Sequence, residues 1–395
     1  EFLRATDVLD RALQVQEAWQ TSGSAAHTRV LLSYAEEMAG DRAAGQARLL
    51  QALADLEELR DPYGIVVSLL ALGESELRAG RPSAAKGFLQ QALDAQVSES
   101  SFSLAWRLHA ALGESFRMLG DPARAAAELK QAVTQIEEAA GNVAFDSRRS
   151  NFLLDKWDVY ARLADTQLSQ GRVEDAFETS ERLRARQVLA MLDRGRIQPR
   201  SGPDTLLVSR EQDLRQHIGA LEARIGIRKS DDSSLRGLAD EIDRSIQTQL
   251  DRAHTEYGQV LAEIRERLPE YGELVSPSIV SWEEAAEALQ PDEAFLEYLV
   301  SDSTTLVFVL TPDSIAALDL NIPGRPLSVL IDFARGAIDG TTAVSTTGGE
   351  LGALTNLYRQ LMAPVEATGL LEGIRRLRIS PHGELHYLPF QALHE

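Results

Sequence analysis

The 395-residue sequence contains no cysteine. Disulfides and thiolate metal sites are thereby excluded, and so is a cysteine nucleophile supplied by these residues. Basic residues are in deficit, with 40 Lys and Arg against 60 Asp and Glu and a net charge of −20. A surface of that sign repels phosphate backbones and anionic lipid, so neither nucleic acid nor membrane is an expected partner. The arginine-rich stretches at 182–186 and 375–378 lie inside periodic or strand-like segments, where ion pairing is their expected role. No run approaches the roughly 18–20 apolar residues of a membrane span. The opening Glu1-Phe2-Leu3-Arg4 has neither an initiator Met nor the basic-then-apolar order of a signal peptide, and a cytoplasmic protein cut at its N-terminus is the expectation. No serine stands in a Gly-x-Ser-x-Gly elbow, and the polar stretch 341–349 lacks the lysine of a phosphate-binding loop. No cofactor is expected.

What is present is a repeat. The chain is too long for one hydrophobic core, so two or three domains are expected. Gly40, Gly80 and Gly120 recur at intervals of forty, each closing one helical stretch before another begins. Leu9, Leu49, Leu89 and Leu129 repeat at the same interval, as do Ala12, Ala52, Ala92 and Ala132. Ala5, Gly45, Ala85 and Ala125 form a third column of small residues. Small residues let two antiparallel helices approach closely while the leucines fill the seam. One such pair cannot bury its own apolar face, so stacked copies must share a continuous core.

With Leu72-Gly73 and Leu112-Gly113 in the first helix of two copies, the pattern resembles the tetratricopeptide repeat (TPR). Glu76 stands where that repeat usually has tyrosine, and Phe116 is a conservative replacement. The stride of forty exceeds the family's roughly 34, implying longer helices or connections. The chain is expected to open inside a second helix, at Ala5, Leu9 and Ala12. A further copy follows, with Gly171 and Ala176 matching Gly120 and Ala125, and the extra segment 141–156, carrying Phe145, Phe152 and Leu154, is expected to pack. The string Glu181-Arg182-Leu183-Arg184-Ala185-Arg186 looks like the closing helix of TPR arrays that precede CHAT modules. The TPR resemblance implies a groove for a protein or peptide partner, lined from the first helices by Tyr34, Glu74, Arg78, Arg107, Glu114, Arg117 and Asp165. Partner contact and simple solvation both remain open for each.

The breaker cluster 197–203 marks a boundary. Beyond it, Leu207, Leu214, Ile218, Leu221 and Ile225, then Leu235, Leu238, Ile242, Ile246, Leu250, Tyr257, Leu261, Ile264 and Leu268, follow helical spacing about a polar turn at 229–234. A long helical hairpin is expected, acting either as a rigid strut or as a lever.

After Ser276-Pro277 the period changes. The runs 294–300 and 305–310, separated by Ser301-Asp302-Ser303, predict a β-hairpin. Two helices are expected near 327–338 and 351–361. The segment 377–393 predicts a strand, a tight turn, a second strand and a proline-led helix. The Leu-Glu-Tyr strand with its Val-Phe-Val-Leu partner, the helix end at 357–364, and Ile379-Ser380-Pro381-His382-Gly383-Glu384-Leu385-His386-Tyr387-Leu388-Pro389-Phe390 together resemble the opening of a CHAT domain. CHAT modules are similar to caspases and separases, and their active members are cysteine peptidases. A histidine there draws the proton from a thiol while backbone amides hold the oxyanion. The resemblance places both catalytic residues on strand ends after the Leu-Pro-Phe segment, so none is carried onto this chain. His382, Glu384 and His386 would share one face of a strand and could bind zinc, unless a turn at Gly383 breaks the alternation. The expected organisation is α plus α/β. An all-α TPR superhelix at 1–196 has about five helix pairs, the first incomplete; a helical hairpin follows at 203–275, and the first part of a caspase-like α/β CHAT domain at 276–395. The parent is expected to be a bacterial cysteine peptidase controlled by the superhelix, or else a non-enzymatic adaptor.

Overall fold

The computed structural model describes residues 2–95, 102–141, 156–194, 205–228, 236–268, 279–338 and 349–394. The boundary cluster, the polar turn of the hairpin, the aromatics between 142 and 155 and the polar stretch to residue 348 lie outside them. The chain is mostly helical, with a small mixed sheet near its C-terminus, and it divides into two units.

The first unit stacks α1 (Phe2–Ala18), α2 (Ser22–Met38), α3 (Arg42–Glu58), α4 (Pro62–Arg78), α5 (Pro82–Asp94), α6 (Phe102–Met118) and α7 (Pro122–Gly141), each against the next. The local signals for these lengths are explicit. Asp41 and Asp61 accept from the amides of Ala44 and Gly64, both at 3.0 Å, giving α3 and α4 side-chain N-caps. Pro62 and Pro82 take first-turn positions where a missing N–H costs nothing. At the other ends, Gly40, Gly80 and Gly120 hold left-handed φ of +102°, +72° and +75°. The next amide then reaches back five residues, as from Asp41 to Glu36 and from Arg81 to Glu76, both at 2.9 Å.

The same closure occurs where no glycine announced it. Gln20 and Arg60 adopt φ of +55° and +52°, and the amides of Thr21 and Asp61 bond to the carbonyls of Gln16 and Leu56 at 3.0 Å. Between residues 20 and 80 the turn therefore recurs every twenty residues, and the stride of forty there comes from two 17-residue helices, each followed by three linking residues.

The columns read from the sequence form the seams. Leu49, Leu89, Leu129, Ala52, Ala92 and Ala132 are buried, as are Gly45, Ala85 and Ala125, while Leu9 and Ala12 are half-buried. A Cβ on Gly73 would lie 2.5 Å from Leu89 Cγ, so the absence of a side chain on α4 is what seats the α5 leucine. Glu76, in the usual tyrosine position, is buried. It accepts from Gln46 Nε2 at 2.8 Å and from Arg81 Nε and Nη2 at 2.5 and 2.9 Å, and the Arg81 bonds hold its carboxyl below the usual range against the opposing effect of burial.

The second unit begins with another helix pair, α8 (Trp157–Ser169) and α9 (Val173–Arg194), closed at Gly171 with φ +75°. Helices α10 (Thr205–Arg228) and α11 (Arg236–Arg267) form the expected antiparallel hairpin. Ile218 and Leu221 pack with Ile246 and Leu250, Leu207 packs with Val260 and Ile264, and Arg210 pairs with Glu256 at 2.7 Å. A short α12 (Trp282–Glu287), capped reciprocally by Ser281 and Glu284, leads into the sheet.

Strands β1 (Glu293–Val300), β2 (Thr305–Thr311), β3 (Ser314–Asp319) and β4 (Arg376–Ser380) lie in the order β3-β2-β1-β4. The β1–β2 hairpin is as expected, and β3 is an additional antiparallel strand that the sequence reading did not include. β4 returns parallel to β1 after α13 (Gly324–Ile338), α14 (Gly349–Leu361) and α15 (Ala363–Glu366). Leu296, Tyr298, Val307 and Val309 on one face pack with Leu327, Ile331, Leu357 and Leu361 of α13 and α14. On the other face Phe308 meets Phe177 of α9 edge-on, with ring centroids 5.7 Å apart. The central strands β1 and β2 are thus covered on both sides, as their burial requires, while the edge strand β4 is largely exposed.

One expectation is corrected. After β4 the expected tight turn forms, but no second strand follows it: Gly383–Tyr387 is a 3-10 turn, and Pro389 leads into another at Phe390–Ala392. Gly383 takes φ +57°, which reverses the chain and drives Leu385 and Leu388 into the core under α13. Two buried leucines spaced by three fit a tight turn and contradict strand alternation.

Candidate functional site

The second unit holds its most concentrated chemistry where α9 lies on the sheet. Glu297 is the one carboxylate in the middle of the apolar strand β1, and its side chain is 0% exposed. A buried charge without partners is costly, and α9 brings the partners. Ser180 Oγ donates to Glu297 Oε1 at 2.5 Å. Arg184 Nε lies 2.8 Å from that oxygen, without the alignment of a hydrogen bond. The rest of the guanidinium reaches the backbone: Nη2 donates to Tyr298 O at 2.8 Å and Ser380 O at 3.3 Å, and Nη1 donates to Ser380 Oγ at 2.6 Å. One side chain therefore grips β1 and β4 together.

Glu181, one residue past Ser180, also faces this cluster. Burial first, then the charge of Glu297 and a hydrogen bond to it, push its carboxyl up to about 8, with Arg184 opposing.

Past the end of β4, His382 is buried with Nδ1 accepting the Val300 amide at 3.2 Å, and its ring centroid lies 5.6 Å from that of Trp157 at the start of α8. Burial, and then the positive charge of Arg184 and that of His386, lower its pKa to about 4, so the ring is neutral at pH 7. Next to it the Asp302 amide donates to Asp158 Oδ1 at 3.3 Å. The helix pair α8–α9 thus holds the carboxyl ends of the two parallel strands, the edge at which open α/β sheets form their ligand crevices. The groups in place fix backbone and balance charge; none is an activated nucleophile.

The His382, Glu384 and His386 trio is not assembled on one strand face. His382 points inward, whereas His386 is exposed with Nδ1 3.0 Å from Gly383 O. Among the described residues no three His, Asp or Glu side chains could hold a metal.

The partner-facing residues read from the sequence lie on α2, α4, α6 and α8. Helix α4 touches both α2 and α6, so the first three line one face. Arg107 Nη2 donates to Glu74 at 2.8 and 3.0 Å, Arg117 chelates Glu114 at 2.6 and 2.9 Å, and Arg78 bonds to Glu37 at 2.7 Å with its guanidinium 5.8 Å from the Tyr34 ring centre. Asp165 belongs to the second unit. Buried Glu37 is pushed up by desolvation, but bonds and charges from Arg78, Ser75 and Arg42 outweigh this and lower it overall.

Sequence reasoning named the 181–186 string and the Leu-Glu-Tyr strand as family landmarks but did not join them. The available signal was Glu297 itself, a lone charge among the six apolar residues of the run from Ala294 to Val300, which required an arginine from elsewhere. The ion pairing expected of both arginine stretches is seen: Arg184 to Glu297, Arg182 to Glu178 at 3.0 Å, Arg378 to Glu293 at 2.7 Å and Arg376 to Asp292 at 3.1 Å.

Among the described residues no helix is long and apolar enough to cross a membrane. No curated protein matches the chain. The family model described as CHAT domain matches residues 351–395, which hold the end of the crossover, β4, the His382 turn and the Leu-Pro-Phe segment.

Proposed function

We propose that this chain is the partner-sensing portion of a TPR–CHAT caspase-like cysteine peptidase, a bacterial cytoplasmic protein. Residues 1–196 form the TPR superhelix, 203–275 the hairpin spacer and 276–395 the N-terminal part of the CHAT domain. The observation that carries the reading is the CHAT match at 351–395, which takes in a strand that pairs parallel to β1. Helix pairs with glycine-closed turns, small-residue seams and a charged face on α2, α4 and α6 support a receptor for a polar protein or peptide. The cations named on that face are already paired with acids, and the exposed Arg117–Glu114 pair contributes only about 0–1 kcal/mol. A partner's carboxylate can therefore replace Glu114 there at little cost.

The test is made on the parent protein. Residues 1–395 have no thiol and are expected to be inert toward peptide libraries. The parent is expected to cleave, through a His and a Cys on strand ends after residue 395, and to stop when that Cys becomes Ala. Arg107→Glu with Arg117→Glu is expected to change both the proteins it retains and its cleavage. A parent without that pair of residues identifies an adaptor, and an unchanged retained set removes the groove assignment.

A further inference from the structure

Two carboxyl groups and one guanidinium meet at the α9–sheet junction. Glu297 Oε1 is served by Ser180 and by the charge of Arg184, while Glu297 Oε2 is buried and, among the described residues, has no hydrogen-bond donor. Glu181 Oε1 lies 3.7 Å from Arg184 Nε, and its carboxyl is within hydrogen-bonding reach of Glu297. Ionised carboxylates only accept, so a doubly ionised pair would leave Oε2 orphaned and one negative charge uncompensated in a desolvated site. A single proton on the pair corrects both faults: protonated Glu181 donates to the free oxygen, and the remaining charge matches that of Arg184.

Among the described residues, the contacts of the neighbouring elements at this junction are of other kinds. From β4, Arg378 is engaged by Glu293, and His382 beyond it is neutral. β2 meets α9 through Phe308 against Phe177, and α8 presents the uncharged Gln167 to Thr179.

We propose that Glu181 keeps a proton directed at Glu297 and that this contact, beside Arg184, acts as a proton-operated latch between α9 and the sheet. With the proton in place, α9 is seated and Arg184 holds the carboxyl ends of β1 and β4. Its loss sets two negative charges against each other and loosens that hold. The latch belongs to this chain's own fold and stands whether or not the parent cleaves peptides.

Infrared spectroscopy of the intact chain with isotope-labelled glutamate is expected to show a protonated carboxyl at pH 7. That band should vanish by pH 9, and in Glu181→Gln or Glu297→Gln at either pH. Hydrogen exchange, corrected for intrinsic rates, is expected to show protection of the β1 and β4 amides falling between pH 7 and 9 in the wild type and holding in Glu181→Gln. Relative to Glu181→Gln, the wild-type unfolding constant of the second unit should rise about tenfold per pH unit up to about pH 8. Absence of a protonated glutamate at pH 7, or equal loss of protection in Glu181→Gln, overturns the proposal.

Discussion

Consider the replacement of His382 by Asn, which keeps an acceptor for the Val300 amide but cannot take up a proton. In the folded chain His382 has a pKa lowered to about 4, mainly by burial, against an ordinary value of 6.5. The sign follows from linkage: between pH 6.5 and 4 the unfolded chain binds a proton that the folded chain refuses, so stability falls as the medium is acidified. At about 1.4 kcal/mol per pH unit, the full loss is about 3 kcal/mol, complete near pH 4. Glu181, pushed up to about 8, works in the opposite direction: its contribution is complete below about 4.5 and is lost as pH rises toward 8. In the wild type the two slopes cancel between about 4.5 and 6.5, leaving a plateau with an alkaline decline. His382→Asn should expose the Glu181 slope across the whole range, so that the second unit becomes more stable with each step toward acid. Trp157, whose ring lies tilted against His382, is the reporter, with Trp19, Trp106 and Trp282 changed to Phe. Urea titrations at half-unit pH steps supply the free energies. The same slope below pH 6.5 in His382→Asn and wild type would refute the reasoning, because the titrating group would then lie elsewhere.

Two further substitutions probe the repeat. Gly73→Ala places a methyl 2.5 Å from Leu89 Cγ; overpacking of this kind costs about 1–3 kcal/mol, and in a Leu89→Ala background the penalty should largely disappear, which a double-mutant cycle by urea unfolding measures. Arg60→Gly removes a left-handed non-glycine residue worth about 1–2 kcal/mol and adds unfolded-state freedom worth about 0.5–1 kcal/mol, so calorimetry should find the first unit slightly more stable; a lower melting temperature would mean that the Arg60 turn is not equivalent to the Gly80 turn.

How much could be read beforehand follows from what each signal encodes. Helical packing leaves a periodic trace, because Leu89 and Ala92 must return to the same seam as Leu49 and Ala52. The α4–α5 pair and the α10–α11 hairpin were therefore legible. Glycine marks a left-handed turn only where it is used, and with Gln20 and Arg60 in two of the turns the sequence showed a stride of forty where the backbone has one of twenty. β3 was missed because Ser314-Ile315-Ala316-Ala317-Leu318 is short, half-buried and low in β-branched residues. The tight turn after β4 was expected, but the residues beyond it were read as a second strand, where Leu385 and Leu388, spaced by three, belong to a 3-10 turn. The junction of α9 with the sheet was invisible for another reason: Arg184 and Glu297 are 113 positions apart, and nothing local records a partner at that distance.

That junction also explains why the contact boundary falls before α8 and not after α9. Helices α8 and α9 are built like the pairs before them, with the same Gly171 closure and a buried small residue at Ala176, yet α9 turns Phe177, Ser180 and Arg184 to a sheet. An apolar helix face of the same shape would bury as much area and avoid the desolvation of Arg184 and Glu297, which is why buried ion pairs are poor evidence of added stability. A purely apolar contact between Phe177 and Phe308 tolerates rotation and sliding of the helix, because dispersion is shallow and non-directional. Arg184 allows neither, since its planar fork must meet Glu297, Tyr298 O and the Ser380 oxygens together, on two different strands. The charges at this interface thus set position at the expense of stability, and the place they fix is the end of β4, where the CHAT-matched segment turns.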